Sequence, residues 1–318
     1  MLAPKVSILI PSYNQEAIIE QTLLSSLEQD YDNLEVVVTD DASTDSTPEI
    51  LREYMSRYPG RLKIILNSEN AGVTRNHTRG LLACDGDFVA FLDGDDLFLP
   101  GKIKKQVEFM IAHDDCAICC HDVDVFDSKT GKTLYLWSER FGFRQGGMKT
   151  LVRYGNFLPS VSVMARKKFL PAYGYDERVR IGSDWLLWVE TLANSHGKMY
   201  RLDQVLARYR RHSENLTNTW PWKFEDQLVT LALIVTKWPE MGFSARLRQS
   251  ELYCISAFRA FMQKRYRTGF RYFSESIILG FPIFVPALRL IVRELRFLRE
   301  RPGNDDILGD IIQNSNKE

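Results

Sequence analysis

Six aspartates fall in two tight runs, Asp40-Asp41-Ala42-Ser43-Thr44-Asp45 and Asp93-Gly94-Asp95-Asp96, each directly behind a hydrophobic stretch. The second run sets three carboxylates within four residues, and these repel one another unless a cation sits among them. Hard oxygen ligands suit Mg²⁺ or Mn²⁺, and Mg²⁺ uses one or two carboxylates together with substrate phosphates. In the first run a carboxylate can accept a hydrogen bond from the ring N–H of a pyrimidine, while serine and threonine can ligate ribose. Pro11-Ser12-Tyr13-Asn14 adds a tyrosine whose ring can stack on a base. Each segment has a plainer use as well. An acidic turn can simply be solvated, and Ser, Thr and Asp are common helix caps. What favours chemistry is the coincidence of three strand ends carrying stacking, base-binding and metal-binding groups. Ligands of open α/β sheets bind beyond the carboxyl ends of the strands.

Such placement requires strands that end together. Val6-Ser7-Ile8-Leu9-Ile10, stopping at Pro11, reads as a buried strand, and so do Glu35 to Thr39, Leu62 to Leu66 and Phe88 to Leu92. Helical stretches lie between them at Glu16 to Gln29, at Thr47 (an N-cap before Pro48) to about Tyr58, and at Val73 to Ala83. That alternation predicts βαβ units and a mostly parallel sheet. Further on, the pattern predicts a helix from Pro100 to His113, a strand within Ala117 to Phe126, and a helix over Asp184 to Ala193. From Lys223 onward it reads as helix after helix, so a soft boundary falls near residue 220.

Composition narrows the class. With 318 residues, 45% hydrophobic and 26% charged, the chain reads as a catalytic domain plus an appendage. Lys+Arg and Asp+Glu both total 41, which gives no basic excess for nucleic acid. Five cysteines, an odd number, argue against a disulfide framework and for a reducing, cytoplasmic setting. No long apolar run suggests a signal peptide or a membrane span. His113, Cys116, Cys119, Cys120 and His121 invite a zinc reading, but no second ligand pair completes it, and a half-buried strand is more natural.

Together, Val6 to Asn14, the Asp40 to Asp45 loop and Phe91-Leu92-Asp93-Gly94-Asp95-Asp96 resemble the signatures of family 2 glycosyltransferases. The resemblance covers roughly residues 5 to 215. It implies a GT-A-type α/β fold, with a mostly parallel nucleotide-binding sheet flanked by helices and here a helical C-terminal extension. It also implies inverting transfer, of the hexosyl or N-acetylhexosaminyl class, from a nucleotide-diphosphate donor, most often UDP-linked. By this resemblance Pro11 and Tyr13 line the base pocket and Asp41 binds the uracil ring. Asp93 and Asp95 occupy the two acidic positions that hold Mn²⁺ or Mg²⁺, and Asp96 is the adjacent residue that ligates in some members. Asp184, in Gly182-Ser183-Asp184-Trp185, takes the position of the catalytic base. His212, or an arginine beside it in Arg208-Tyr209-Arg210-Arg211-His212, meets the diphosphate. Gly72 to Gly80 departs from the family's usual Ala-Arg-Asn, and either Arg75 or Arg79 is available there for the diphosphate.

On this reading residues 1–220 form the catalytic domain, with donor and metal binding in 1–100 and the acceptor side in 101–220. Residues 221–318 form a helical region. Within it, Ile277 to Leu298 is apolar, and Arg289, Arg293, Arg296 and Arg299 recur in and just beyond it at helical spacing. Such a segment can lie on the cytoplasmic face of an anionic membrane or pack on the catalytic domain. The acceptor is a glycan, a lipid-linked glycan or another hydroxyl compound. A catalytically inactive module that binds nucleotide sugars is the rival from another class. A nucleotidyltransferase would need a glycine-rich, basic phosphate loop after the first strand, where this chain has Pro11-Ser12-Tyr13-Asn14-Gln15.

Overall fold

The structure, a computed structural model, describes residues 3–213, 215 and 223–280. Its first half alternates strand and helix: β1 (Val6–Ser12), α1 (Ile19–Leu27), β2 (Leu34–Asp40), α2 (Thr47–Arg57), β3 (Leu62–Leu66), α3 (Val73–Leu82) and β4 (Phe88–Phe91). These strands pair in parallel in the order β3-β2-β1-β4. β1 is buried along its whole length, as its unbroken apolar run requires of a strand covered on both faces. It does not stop at Pro11. Pairing with β4 ends at Leu9↔Phe91, while pairing with β2 continues through Pro11↔Thr39 to Ser12↔Asp40. The missing proline N–H would point to the β4 side, where no ladder bond is due, so the strand can run on to Ser12.

The second half continues with β5 (Leu97–Phe98), α4 (Lys102–Ala112), β6 (Cys116–Asp127), β7 (Thr133–Leu136), α5 (Trp137–Phe141), α6 (Met148–Tyr154), β8 (Met164–Arg166), α7 (Asp184–Ser195) and β9 (Lys198–Arg211). β8 lies antiparallel between β4 and β6, and so joins the two halves into one sheet. β6 and β9 then run parallel, β5 and β7 closing against them in antiparallel pairs. Sequence periodicity does not reveal β9. Its basic residues and the register shifts opposite His121 to Val123 break the apolar alternation. Cys116, Cys119 and Cys120 are buried thiols of β6, and Cys120 donates to the Tyr200 carbonyl at 3.3 Å. They serve the core of the sheet.

Apolar residues of β1, β2 and β4 (Ile8, Ile10, Val36, Val38, Phe88, Ala90) pack with α1 and α4 in one core. Burying each larger aliphatic side chain is worth about 1.5–3 kcal/mol. α7 is apolar nearly all round: Trp185, Leu186, Leu187, Trp188 and Val189 are all buried, with Trp188 edge-on to Phe91 at 4.7 Å. A helix clad on every side is held firmly, and Asp184 is its first residue.

By compactness the chain forms two units, Met1–Ile234 and Val235–Glu318. α8 (Lys223–Lys237) ends the first and begins the second. The second unit contains an antiparallel pair, α9 (Gly242–Met262) and α10 (Tyr266–Ile278). Ser250 and Ser276 donate to each other's carbonyls at 2.8 Å, and Gly269 lets the Phe261 ring approach the helix axis. Among the described residues no helix is long and apolar enough to cross a membrane. Arg289, Arg293, Arg296 and Arg299 lie outside the described residues.

Candidate active site

The ends of β1 and β2 are laced together before any ligand is considered. Asn14 sits in the left-handed region at φ 50°. Its N–H donates to Ser43 Oγ at 2.8 Å, and its Oδ1 accepts the Thr44 N–H at 2.8 Å. Gln15 N–H donates to Thr47 Oγ1, and Glu16 N–H to Asp45 Oδ2. Thr47 is therefore the first residue of α2 rather than its cap, and Ser46 takes the cap position. Asn76, buried on α3, donates to the carbonyls of Ser12 and Thr39 and accepts from Thr39 Oγ1. One amide thus ties two strand ends to a helix.

Asp41 is buried at the centre of this lacing. Its Oδ1 accepts Asn67 Nδ2 and the Ala71 N–H at 3.1 and 2.9 Å, and its Oδ2 accepts the Gly72 N–H at 2.9 Å. A carboxylate has about four lone-pair positions, so one remains on Oδ2 for a further donor. Tyr13, 46% exposed, stands on the adjoining loop with its ring available, and Pro11 lies buried below it in β1.

The acidic turn after β4 divides its three carboxylates. Gly94 is pressed against the first loop so closely that a Cβ would lie 1.9 Å from Gln15 Oε1 and 2.8 Å from the Pro11 carbonyl. Thr22 Oγ1 reaches the carbonyls of both Gly94 and Asp96 at 2.9 Å, clamping the turn to α1. Asp96 points inward, fully buried, with Oδ1 accepting the Arg210 N–H of β9 at 2.8 Å and Oδ2 lacking a partner. Asp95 Oδ2 accepts His212 Nε2 and Asn215 Nδ2 at 3.0 and 3.1 Å. Asp93 is the most open of the three, with His77 Nε2 at 3.7 Å from its Oδ1. Among the described residues no three acidic, imidazole or thiol groups form a ready metal cage. The three aspartates are therefore not equivalent ligands: Asp93 and Asp95 face the site, and Asp96 supports the turn from within.

Burial first, and then the charges of Asp95 and Asp93, hold the Asp96 carboxyl well above its ordinary range. Arg210 answers only part of this charge. Its Nε donates to the Asp95 carbonyl and its guanidinium to Gln21 Oε1.

Asp184 lies across from Asp93. Its Oδ2 accepts Asn156 Nδ2 at 2.7 Å and its Oδ1 the Trp185 N–H at 2.9 Å. Burial pushes its carboxyl up to about 6, and the charge of Asp93 adds to the rise. The loop before it is pinned to α3, where Thr74 Oγ1 donates to the Val179 and Arg180 carbonyls at 2.8 and 2.7 Å. Asp176 and Glu177, the neighbouring acids, are engaged by Arg178 and Arg75 respectively. Arg75 thus stands in the first turn of α3, at its site end, paired to Glu177 at 2.8 Å. Arg79 is exposed one helical turn further along α3, about 6 Å away.

Three residues given no role by the sequence join this cluster. His77 Nδ1 donates to the Val73 carbonyl at 2.8 Å, which turns Nε2 toward Asp93, and its ring meets Tyr175 edge-on at 5.3 Å. Asn156 orients the Asp184 carboxylate. Each is a single polar residue whose role depends on contacts far away in sequence. The one available signal is that His77 and Tyr175 lie in segments already flanking family motifs.

Residues 7–170 match Glycosyl transferase family 2. The chain belongs to that family. An uncharacterized protein of Mycobacterium tuberculosis is 32% identical over 213 residues, spanning 66% of this family 2 chain and 60% of its own length. Among solved structures, S. aureus TarS 1-349 in complex with UDP-GlcNAc aligns with a TM-score of 0.67 at 18% identity, over 86% of this chain and 81% of that one. A mannosyltransferase, PcManGT from Pyrobaculum calidifontis, in complex with GDP-Man and Mn²⁺, aligns with a TM-score of 0.58 at 17% identity, over 94% and 81%. At these identities the likeness is one of fold. The family 2 chain has the GT-A-type α/β fold, a sheet flanked by helices with a helical C-terminal region.

Proposed function

We propose that this family 2 chain transfers a sugar from a UDP-sugar to an acceptor hydroxyl with inversion, using Asp184 as general base. The observation that carries the reading is Asp184 itself, a single carboxylate raised to about 6 beside the acidic turn. A base poised near neutrality accepts a proton readily and is ionised when needed. Of the neighbouring acids, Asp176 is held by Arg178 and Glu177 is exposed, whereas Asp184 is buried and faces Asp93, which favours it to take the acceptor proton. The acceptor oxygen then attacks the anomeric carbon from the face opposite the nucleotide.

Tyr13 stacks on the base, and the remaining lone pair of Asp41 accepts the uracil N–H. Pro11 forms the floor. Arg75, at the N-terminal turn of α3, or Arg79 one turn further along meets the diphosphate, the position of Arg75 favouring it, and His212 sits beside Asp95 for the same region. A divalent cation, Mn²⁺ or Mg²⁺, fits this donor set. Asp93 and Asp95 offer hard oxygens, and the raised carboxyl of Asp96 with its unpartnered oxygen marks an excess of negative charge. When bound, such an ion neutralises charge on the leaving diphosphate. The TarS structure is a complex with UDP-GlcNAc and that of PcManGT a complex with GDP-Man and Mn²⁺, which supports a sugar donor of this class. The acceptor is a glycan or lipid-linked hydroxyl, received on the 101–220 side.

A thermal-shift screen of UDP, UDP-hexoses, UDP-N-acetylhexosamines and GDP-mannose, each with and without Mn²⁺, tests the donor. A ligand at a hundred times its Kd stabilises the folded state by about 2.7 kcal/mol. UDP compounds raise Tm and the rise grows with Mn²⁺. A screen in which only GDP-mannose acts would refute the uracil assignment, and one in which nothing acts would refute the donor site.

Asp41→Ala should weaken UDP binding and also lower the Tm of the ligand-free protein. The substitution removes the acceptor of two backbone N–H groups, each costing about 1–3 kcal/mol when left unsatisfied. Calorimetry with UDP and a melting curve read the two effects separately. An unchanged UDP affinity would leave Asp41 with only its loop-holding part.

A further inference from the structure

The outer face of α10 carries an apolar stripe that the described second unit leaves largely uncovered. Tyr266, Phe270, Phe273 and Ile277 follow one another at helical spacing and are 57%, 65%, 38% and 51% exposed. Packing on α9 is made chiefly by the buried Gly269 and Ser276 and by the Tyr272 ring beside Tyr253, and of the stripe Phe270 joins it edge-on to Phe261 at 5.2 Å. Beyond that one edge contact the stripe stays largely exposed and adds little to the helix pair. Large exposed apolar patches rimmed by charge mark interaction sites. The rim here has one sign. Lys264, Arg265, Arg267 and Arg271 are all exposed, and the only acid within residues 264–278 is Glu275.

We propose that α10 is a docking face for an anionic lipid surface, lying in the headgroup plane with this stripe turned inward. The charge pattern selects the occupant. An apolar stripe of aromatic and aliphatic residues flanked by long basic side chains matches an interfacial helix, whose apolar face sinks about 5–10 Å into the boundary. Arg267 and Arg271, on one flank of the stripe, can extend to the phosphates while their stems stay on apolar ground. α10 spans 13 residues and does not meet the length or apolarity of a membrane-crossing helix, so attachment is peripheral. The sequence continues in the same character, with Arg289, Arg293, Arg296 and Arg299 spaced along an apolar run. This docking is independent of the transfer reaction proposed above.

Flotation of the full chain with phosphatidylcholine vesicles, with and without phosphatidylglycerol, at low and high salt, is the test. The parent protein floats with the phosphatidylglycerol vesicles and is released by salt, since surface charge attraction is screened. A Phe270→Ser/Ile277→Ser variant binds those vesicles roughly tenfold more weakly, because its apolar contact with the boundary is lost. An Arg267→Gln/Arg271→Gln variant loses the preference for phosphatidylglycerol. Both variants change exposed residues, and an unaltered Tm with unaltered UDP affinity shows that each is folded. A parent that fails to float overturns the proposal. So does a serine variant that floats like the parent, which would move attachment to residues 281–318. A parent that dimerises through this face, with the dimer lost in the serine variant, would identify a second copy as the occupant instead.

Discussion

Asp184→Asn slows sugar transfer by about a hundred- to ten-thousand-fold, the usual weight of general-base assistance, and leaves UDP affinity unchanged. Asparagine keeps an oxygen for the Trp185 N–H but cannot take up a proton. The parent's kcat/KM should rise with pH and level off above about 6, where Asp184 is ionised, and the variant's residual rate should lose that limb. Stability moves the other way. A carboxyl whose folded pKa lies above its unfolded value is favoured by folding only while protonated. Its contribution is complete below the ordinary carboxylate range and is lost as pH rises through about 6. The variant lacks this loss, so its Tm gains on the parent's between acidic and neutral pH. Initial rates and melting curves across that range measure both. Near-normal transfer by Asp184→Asn would place the base elsewhere, with Asp176 and Glu177 the next groups to replace.

Asp95→Asn should bring metal-dependent turnover to background without unfolding the protein. Asp95 offers the more enclosed of the two outward carboxylates, and an amide there carries no charge for a cation to neutralise. His212 and Asn215 can still bond the remaining amide oxygen, which keeps the turn in place. Removing one charge also relieves Asp96, so Tm should hold or rise. In the parent, EDTA abolishes transfer and Mn²⁺ or Mg²⁺ restores it, and Asp95→Asn shows no such recovery. Full activity of the parent in EDTA would take the metal out of the reaction.

Much of the donor half is legible in the sequence because its parts are local. Apolar runs ending in Pro11-Ser12-Tyr13-Asn14, Asp40-Asp41 and Asp93-Gly94-Asp95-Asp96 announce strands whose ends carry polar loops. What is not legible depends on distant pairing. That Asp96 turns inward is decided by the Arg210 N–H, 114 residues away, on a strand whose basic sequence hides it. The same holds for Asn156, which reaches Asp184 across 28 residues, and for His77, whose ring is aimed by a bond to its own helix. Pro11 misleads for another reason. A proline ends a strand only where its N–H is wanted, and here the neighbouring strand has already stopped.

The lacing of the donor loops bears on how freely such a chain can be rewritten. Asp41 grips the N–H groups of Ala71 and Gly72, and Asn76 grips the carbonyls of Ser12 and Thr39. Because those partners are main-chain atoms, the side chains of residues 12 and 71 matter little to these bonds, whereas Thr39 adds its own hydroxyl to Asn76 Oδ1. The rest of the lacing is less forgiving, since Asn14, Ser43, Asp45 and Thr47 take part through their side chains. A designer could vary residue 71 while keeping Asp41, Asn76 and Thr39 fixed, and the loop would hold. Lineages could drift at such a position by the same route, the fold asking there only for a peptide N–H.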